Sequence, residues 1–107
     1  MVDYVITAVK YKNNNAYIGK EIYSVKVHTF NNVTKRPFNT RPYEWKREQL
    51  IGAMLEGKLF GVYYYDKTLK TKKLGAMIEI YEFNKQKYIK TEKNNIEEDN
   101  LSLLPEF

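Results

Sequence analysis

The chain has no cysteine in its 107 residues. That absence excludes a disulfide framework, a thiolate zinc site and thiol catalysis. A secreted domain this small would often need disulfides, so a cytoplasmic location is expected. Histidine occurs once, as His28. One imidazole is not a metal site, and no nucleophile beside it in sequence asks for a base. The only serines, Ser24 and Ser102, lie outside any Gly-x-Ser-x-Gly turn. The glycines at 19, 52, 57, 61 and 75 are scattered singly, so no glycine-rich phosphate loop exists. No apolar run approaches the ~18–20 residues that span a bilayer. Met1–Lys10 also lacks the basic-then-apolar layout of a signal peptide. A soluble protein with no membrane partner is the expectation, and no metal or cofactor is implied.

Apolar residues make up 43% of the chain and aromatic residues 15%, enough to build a core and too much for a disordered chain. The length suits one domain spanning 1–107. Charge is unevenly placed: Lys10 to Lys73 holds 14 Lys/Arg against 5 Asp/Glu, a local net charge of +9, within an overall +5. A basic body of this kind suits an anionic partner, nucleic acid or an acidic protein face. The plainer account is solubility together with a lysine-rich composition.

Tyr4 to Tyr11 is rich in β-branched and aromatic residues and ends at three asparagines, the pattern of a strand running into a turn. Lys20 to Phe30 alternates, with Tyr23, Val25, Val27 and Thr29 on one face and Ser24, Lys26 and His28 on the other. These two strands are expected to pair antiparallel through a 12–19 loop. Residues 31–41 read as a loop. A helix is predicted over Tyr43–Glu56, with Pro42 in its first turn, Leu50, Ile51, Met54 and Leu55 on one face and Gly57 as terminator. Gly52, inside it, is read as permitting close packing on the sheet. Lys58–Asp66 reads as a strand apolar on both faces and therefore central. Leu74–Phe83 follows as one strand, Asn84-Lys85 as a hairpin connection, and Tyr88–Glu92 as the last strand. The apolar end, Leu101 to Phe107, is expected to pack back on the domain. The fold class is α+β: a single antiparallel sheet of about five strands, in sequence order β-β-α-β-β-β, covered on one face by one helix.

Tyr88-Ile89-Lys90-Thr91, then Asp99-Asn100-Leu101 and Leu104-Pro105-Glu106-Phe107, resemble the closing signature of the domain-of-unknown-function (DUF) 3892 family. The opening Ile6-Thr7-Ala8-Val9-Lys10 and the helix ending at Gly57 fit the same pattern. The resemblance implies small bacterial and phage proteins without an established activity, and it carries no catalytic residue across. The order of the tail and the length of the basic loop at 31–42 depart from the pattern, which makes that loop a place where this chain could have gained a partner.

Four groups of residues carry side chains that could do chemistry. Glu97-Glu98-Asp99 is the densest carboxylate run, but it lacks the alternation and central Gly of a calcium loop and reads as a solvated turn. Tyr63, Tyr64 and Tyr65, with Tyr81 and Tyr88, could line one sheet face; without an RNP1 pattern, cross-strand packing is the favoured reading. His28 reads as a half-exposed strand residue. The remaining cluster is basic and aromatic: Lys35, Arg36, Arg41, Tyr43, Trp45, Lys46 and Arg47. Arg and Trp on an exposed patch are typical of interface anchors, and cations beside a stacking ring suit single-stranded nucleic acid. The opposing reading places Trp45 at the edge of the core with solvated cations around it.

The resulting expectation is a non-catalytic binding domain acting through protein contacts, an adaptor or inhibitor, of which a phage-borne inhibitor of a host defence system is one form. A nucleic-acid-binding module using the basic 10–73 segment is the alternative, and a small nucleotide- or ligand-binding protein the third. A monomer, or a homodimer through a sheet edge, fits each.

Overall fold

A computed structural model describes residues 1–12, 21–38, 41–91, 98–101 and 104–107. The expected 12–19 loop, Glu97 and Ser102 lie outside the described residues, apart from Lys12. The elements are β1 (Tyr4–Tyr11), β2 (Ile22–Asn31), β3 (Arg36–Pro37), β4 (Tyr43–Lys46), α1 (Arg47–Leu55), β5 (Phe60–Asp66), β6 (Thr71–Met77), β7 (Glu79–Phe83) and β8 (Gln86–Lys90). Six strands form one sheet in the order β3-β2-β1-β5-β6, with β4 also on the outer edge of β2; β7 and β8 form a separate hairpin.

The α+β class holds, but the sheet is mixed and larger than five antiparallel strands. β1 and β2 pair antiparallel as the alternation predicted, whereas β5 runs parallel to β1, with Tyr4 opposite Phe60 and Ile6 opposite Val62. A parallel neighbour requires a crossover. The chain supplies it by turning back in β2, turning again in β4, and crossing the sheet in α1. Apolar character marked β5 as central and could not encode the direction in which it runs.

Two irregularities adjust the pleat where β1 meets β2. The register shifts between Ile6 and Ala8, so that Ile6 and Val9, an odd number of residues apart, both enter the same core. A second shift sets Tyr11 opposite Ile22. Ile22 is therefore buried and Tyr23 is left 43% exposed, off the face that simple alternation assigned it. Each such bulge is a one-residue correction of which face a side chain takes.

The predicted helix begins four residues late. Tyr43–Lys46 is a strand, with Trp45 opposite Val25 and Tyr43 opposite Val27. The outer edge of β2 offers unpaired backbone groups there, and pairing places Trp45 over the core; this tertiary gain overrides the local helical pattern. The Lys46 N–H donates to Gln49 Oε1 at 3.0 Å, closing the first turn of α1. Gly57 ends it at φ 96°, a left-handed conformation as its position suggested.

Leu50, fully buried, anchors α1 against Ile6, Val25, Val27, Phe60 and Val62 on one face of the sheet. Burying such a side chain contributes about 1.5–3 kcal/mol. Ile78, Ile89 and Leu101 belong to the same core. The expected Leu74–Phe83 strand is broken at Ile78, whose N–H donates to Phe60 O at 2.9 Å as the chain passes from the sheet to the hairpin. Asn84 and Lys85 turn that hairpin with φ 48° and 64°, the two positive values of a type I′ turn. Past Ile6, where β5 leaves β1, residues 105–107 take its place: Val9 N–H donates to Pro105 O and Phe107 N–H donates to Val9 O. The apolar end does pack back, and it completes the ladder of β1. A smaller cluster, Val2, Val5, Phe30 and Tyr63, lies on the opposite face.

Gly52 does not contact the sheet. A Cβ there would meet nothing within 4 Å, whereas one on Gly75 would come within 2.6 Å of Tyr64 and 2.9 Å of Val62. Gly52→Ala is therefore expected to raise unfolding free energy by about 0.5–1 kcal/mol, and Gly75→Ala to lower it by about 1–3 kcal/mol. Urea denaturation of the two variants checks both signs.

Candidate binding face

The seven basic and aromatic residues singled out from sequence do not form one patch. Lys35 (φ 61°) sits in the turn after β2, Arg36 in β3, Arg41 just before β4, and all three are exposed. Tyr43, 57% exposed, follows them along the outer edge of β2. Trp45 is half-buried, with ring centroids 5.3 Å from Tyr4 and 5.9 Å from Phe60. It closes the margin of the core and, with Gln49, Gly52, Ala53 and Glu56, lines a shallow open groove. Lys46 is exposed, its Nζ 3.7 Å from the centre of the Tyr23 ring.

Arg47 is committed inside the fold. Its Nε donates to Asp99 Oδ2 at 2.8 Å and its Nη2 to Asp99 Oδ1 at 3.2 Å. Nη2 also donates to Lys87 O. The remaining capacity of the carboxylate is taken by backbone: Ile22 N–H donates to Oδ2 and Ile89 N–H to Oδ1, each at 2.8 Å. The hydrogen bond to Asp99 holds the guanidinium pKa above its ordinary value against the opposing effect of burial. Asp99 is fully buried, so the solvated turn expected at Glu97-Glu98-Asp99 is corrected at that residue. The reason is a partner 77 positions away in sequence, which a local pattern cannot reveal. A carboxylate that accepts four donors has no lone pair left for substrate or metal; its chemistry is architectural.

The tyrosines are dispersed rather than aligned. Tyr63 is buried in the smaller cluster, Tyr64 packs on the main core and Tyr65 is exposed. Tyr81 and Tyr88 face each other within the separate hairpin. No single face carries them all; Tyr63 packs on the Phe30 ring and Tyr88 on that of Phe83.

What the fold does bring together is the sheet face opposite α1. The β1–β2 register sets Lys10 beside Ser24, Ala8 beside Lys26 and Val5 beside His28; β4 adds Glu44 beside Lys26 and Lys46 beside Ser24. The Phe107 ring lies between two ammonium groups, Lys10 Nζ at 4.9 Å and Lys26 Nζ at 4.8 Å. Such contacts are electrostatic attractions of a cation to the ring quadrupole. Hydrogen bonding to Lys46, reinforced by its charge, lowers the Tyr23 pKa. Burial, then Lys72, then Lys26, lower that of His28. The Glu44 carboxylate on this face accepts a hydrogen bond from Ser24 Oγ at 2.8 Å. Among the described residues, ion pairs occupy Lys12, Arg47 and Lys73 but not Lys10, Lys26 or Lys46.

Sequence reasoning placed Lys26 and His28 on a wet face and passed over Lys10, Tyr23 and Phe107. The pairing of Lys10 with Ser24 follows once β1 and β2 are aligned, but the docking of Phe107 has no local signal. The result is a surface of positive charge and ring faces, suited to holding an anion rather than to moving protons. Among the described residues no three His, Asp or Glu side chains converge as a metal site. None of the described helices is long and apolar enough to cross a membrane.

Removing one side of a buried ion pair strands the other, at a penalty of about 3–5 kcal/mol. Asp99→Ala is expected to lose stability by that amount in urea denaturation, while Glu106→Gln, an exposed control, changes it by less than about 0.5 kcal/mol.

Two of the segments that carry the signature seen in the sequence, Tyr88–Thr91 and Asp99–Leu101, meet around this carboxylate. Ile89 N–H donates to it, Asn100 N–H donates to Ile89 O, Thr91 N–H donates to Asn100 O, and Leu101 enters the core. No match was found among curated proteins or among solved structures. The model of one family, described as protein of unknown function (DUF3892), matches residues 5–105, nearly the whole chain, and the chain belongs to that family.

Proposed function

We propose that the chain is a non-catalytic binding domain whose open sheet face holds single-stranded nucleic acid. One observation carries the reading. Lys10, Lys26 and Lys46 stand on that face over aromatic rings, with no ion-pair partner among the described residues. A cation held on a ring keeps its charge for a phosphate, and an exposed ring such as Tyr23 offers a base a stacking surface. An open β-sheet with cations and rings is a surface on which an extended strand can lie. Trp45 and Arg47, the side chains that best suited a protein-interface anchor, are used within the fold.

The adaptor or inhibitor reading keeps support from a different place. Val33, Phe38 and Tyr43 are 91%, 44% and 57% exposed along the outer edge of β2, beside Lys35, Arg36 and Arg41. Among the described residues no strand pairs with the far side of β3 or β4, which line that edge, and an uncovered strand edge is a site for pairing with another chain. A protein partner bound there would be lost on Arg36→Ala with Tyr43→Ala and retained on Lys10→Gln with Lys26→Gln.

Binding of a fluorescent oligo(dT) measured by anisotropy across salt concentrations tests the leading reading. Neutralising about three or four phosphates gives a slope of log K against log salt of about −2 to −3 for a single strand. Lys10→Gln with Lys26→Gln is expected to flatten that slope by about 1.4. No binding to single-stranded DNA or RNA at low salt contradicts the reading.

A further inference from the structure

Two residues near the end of α1 work against the helix that contains them. Gly52 sits inside it, where glycine is less stable than alanine. Neither usual reason for a glycine applies, since its φ is not positive and a Cβ would meet nothing within 4 Å. Glu56, the C-cap, sets a carboxylate at the negative end of the helix dipole, and the last turn holds no basic residue to offset it. Glu56 is exposed and has no ion-pair partner among the described residues. Local choices that disfavour their own element mark positions under a second constraint.

The two residues meet in one place. With Trp45, Gln49 and Ala53 they line the open groove beside α1, a concavity of about 390 Å³, within the size range of small-ligand sites. Tyr4 and Phe60 contact the Trp45 ring from the core, and the half-buried indole presents its remaining surface to the groove. Gln49 Oε1 already accepts from Lys46 N–H. Glu56 is the one charged residue of the lining, in a chain whose net charge is +5. Lys58, two positions on, is exposed, stands outside the lining and does not pair with it.

We propose that this groove is a subsite for a guanidinium group, the side chain of an arginine on a peptide partner. The planar cation stacks on the indole while its N–H groups donate to the Glu56 carboxylate. The missing side chain at position 52 lets the aliphatic stem lie close to the helix backbone. Charge selects the occupant: an anion would meet Glu56 and the negative helix end, and an uncharged group would leave both uncompensated. The groove lies on the α1 side of the sheet, so the assignment does not depend on the nucleic-acid reading of the opposite face.

The chain holds one tryptophan, so its fluorescence reports on this groove alone. Titration with Nα-acetylargininamide at constant ionic strength is expected to give a saturable change in emission, with a dissociation constant on the order of millimolar for one residue in an open groove. The uncharged Nα-acetylglutaminamide is expected to give none. Glu56→Gln, an exposed substitution, is expected to weaken binding several-fold. Gly52→Leu places a good helix former in α1 and a side chain in the groove; it is expected to abolish binding without lowering the urea midpoint. No saturable change with the argininamide, or an equal response to the glutaminamide, overturns the subsite. So does binding to either variant as tight as to the parent chain.

Discussion

The Asp99 carboxylate accepts four hydrogen bonds, from Ile22 N–H, Ile89 N–H and twice from Arg47. Each donor belongs to a different part of the architecture: the start of β2, the hairpin strand β8, and the first turn of α1. A buried charge is tolerated only when its partners are in place, and the penalty for an incomplete set is several kcal/mol. The constraint therefore couples three elements whose other contacts are mainly apolar, with the Arg47–Lys87 hydrogen bond beside it. Apolar burial supplies most of the driving force, but it is non-directional. The carboxylate adds direction, fixing where α1 begins and where the hairpin docks.

This division explains what the sequence revealed and what it hid. Elements specified by their own periodicity were legible: the alternation of β2 from Ser24 on, the Gly57 terminator, the Asn84-Lys85 turn, and Leu50 with Ile51 and Met54 on the core side of α1, although Leu55, assigned to the same face, is 65% exposed. Elements specified by a distant partner were not. Tyr43–Lys46 carries a helix-compatible pattern, yet it becomes a strand because β2 offers it an edge. Tyr23 left its assigned face because a bulge moved Ile22 into the core. Asp99 sits in a polar run that looks solvated, and only its meeting with Ile22 and Arg47 makes it internal. The direction of β5 depends on the whole path between β1 and β5, which no local window contains.

The candidate site shows the same contrast. Arg47 and Trp45 drew notice as exposed binding groups because Arg and Trp are common in interfaces, but both are absorbed by the fold. The face that carries uncompensated charge is assembled from β1, β2 and β4, and its ring comes from Phe107, at the far end of the chain. The family signature and the open face thus serve different ends. Tyr88–Thr91 and Asp99–Leu101 build the side of the sheet that α1 covers, while residues 105–107 complete the β1 ladder and carry Phe107 to the other side. A chain can keep the first arrangement and vary the second, which is how one fold comes to serve several partners.

Native-state hydrogen exchange at the Ile22 and Ile89 amides tests the central claim most directly. If the carboxylate ties β2, α1 and the hairpin into one cooperative unit, both amides exchange only through global unfolding, with the same opening free energy as the core of β1. Exchange of either amide through a local opening well below that free energy would mean that the hairpin or the start of β2 comes loose by itself, and Asp99 would not be the constraint on which the structure depends.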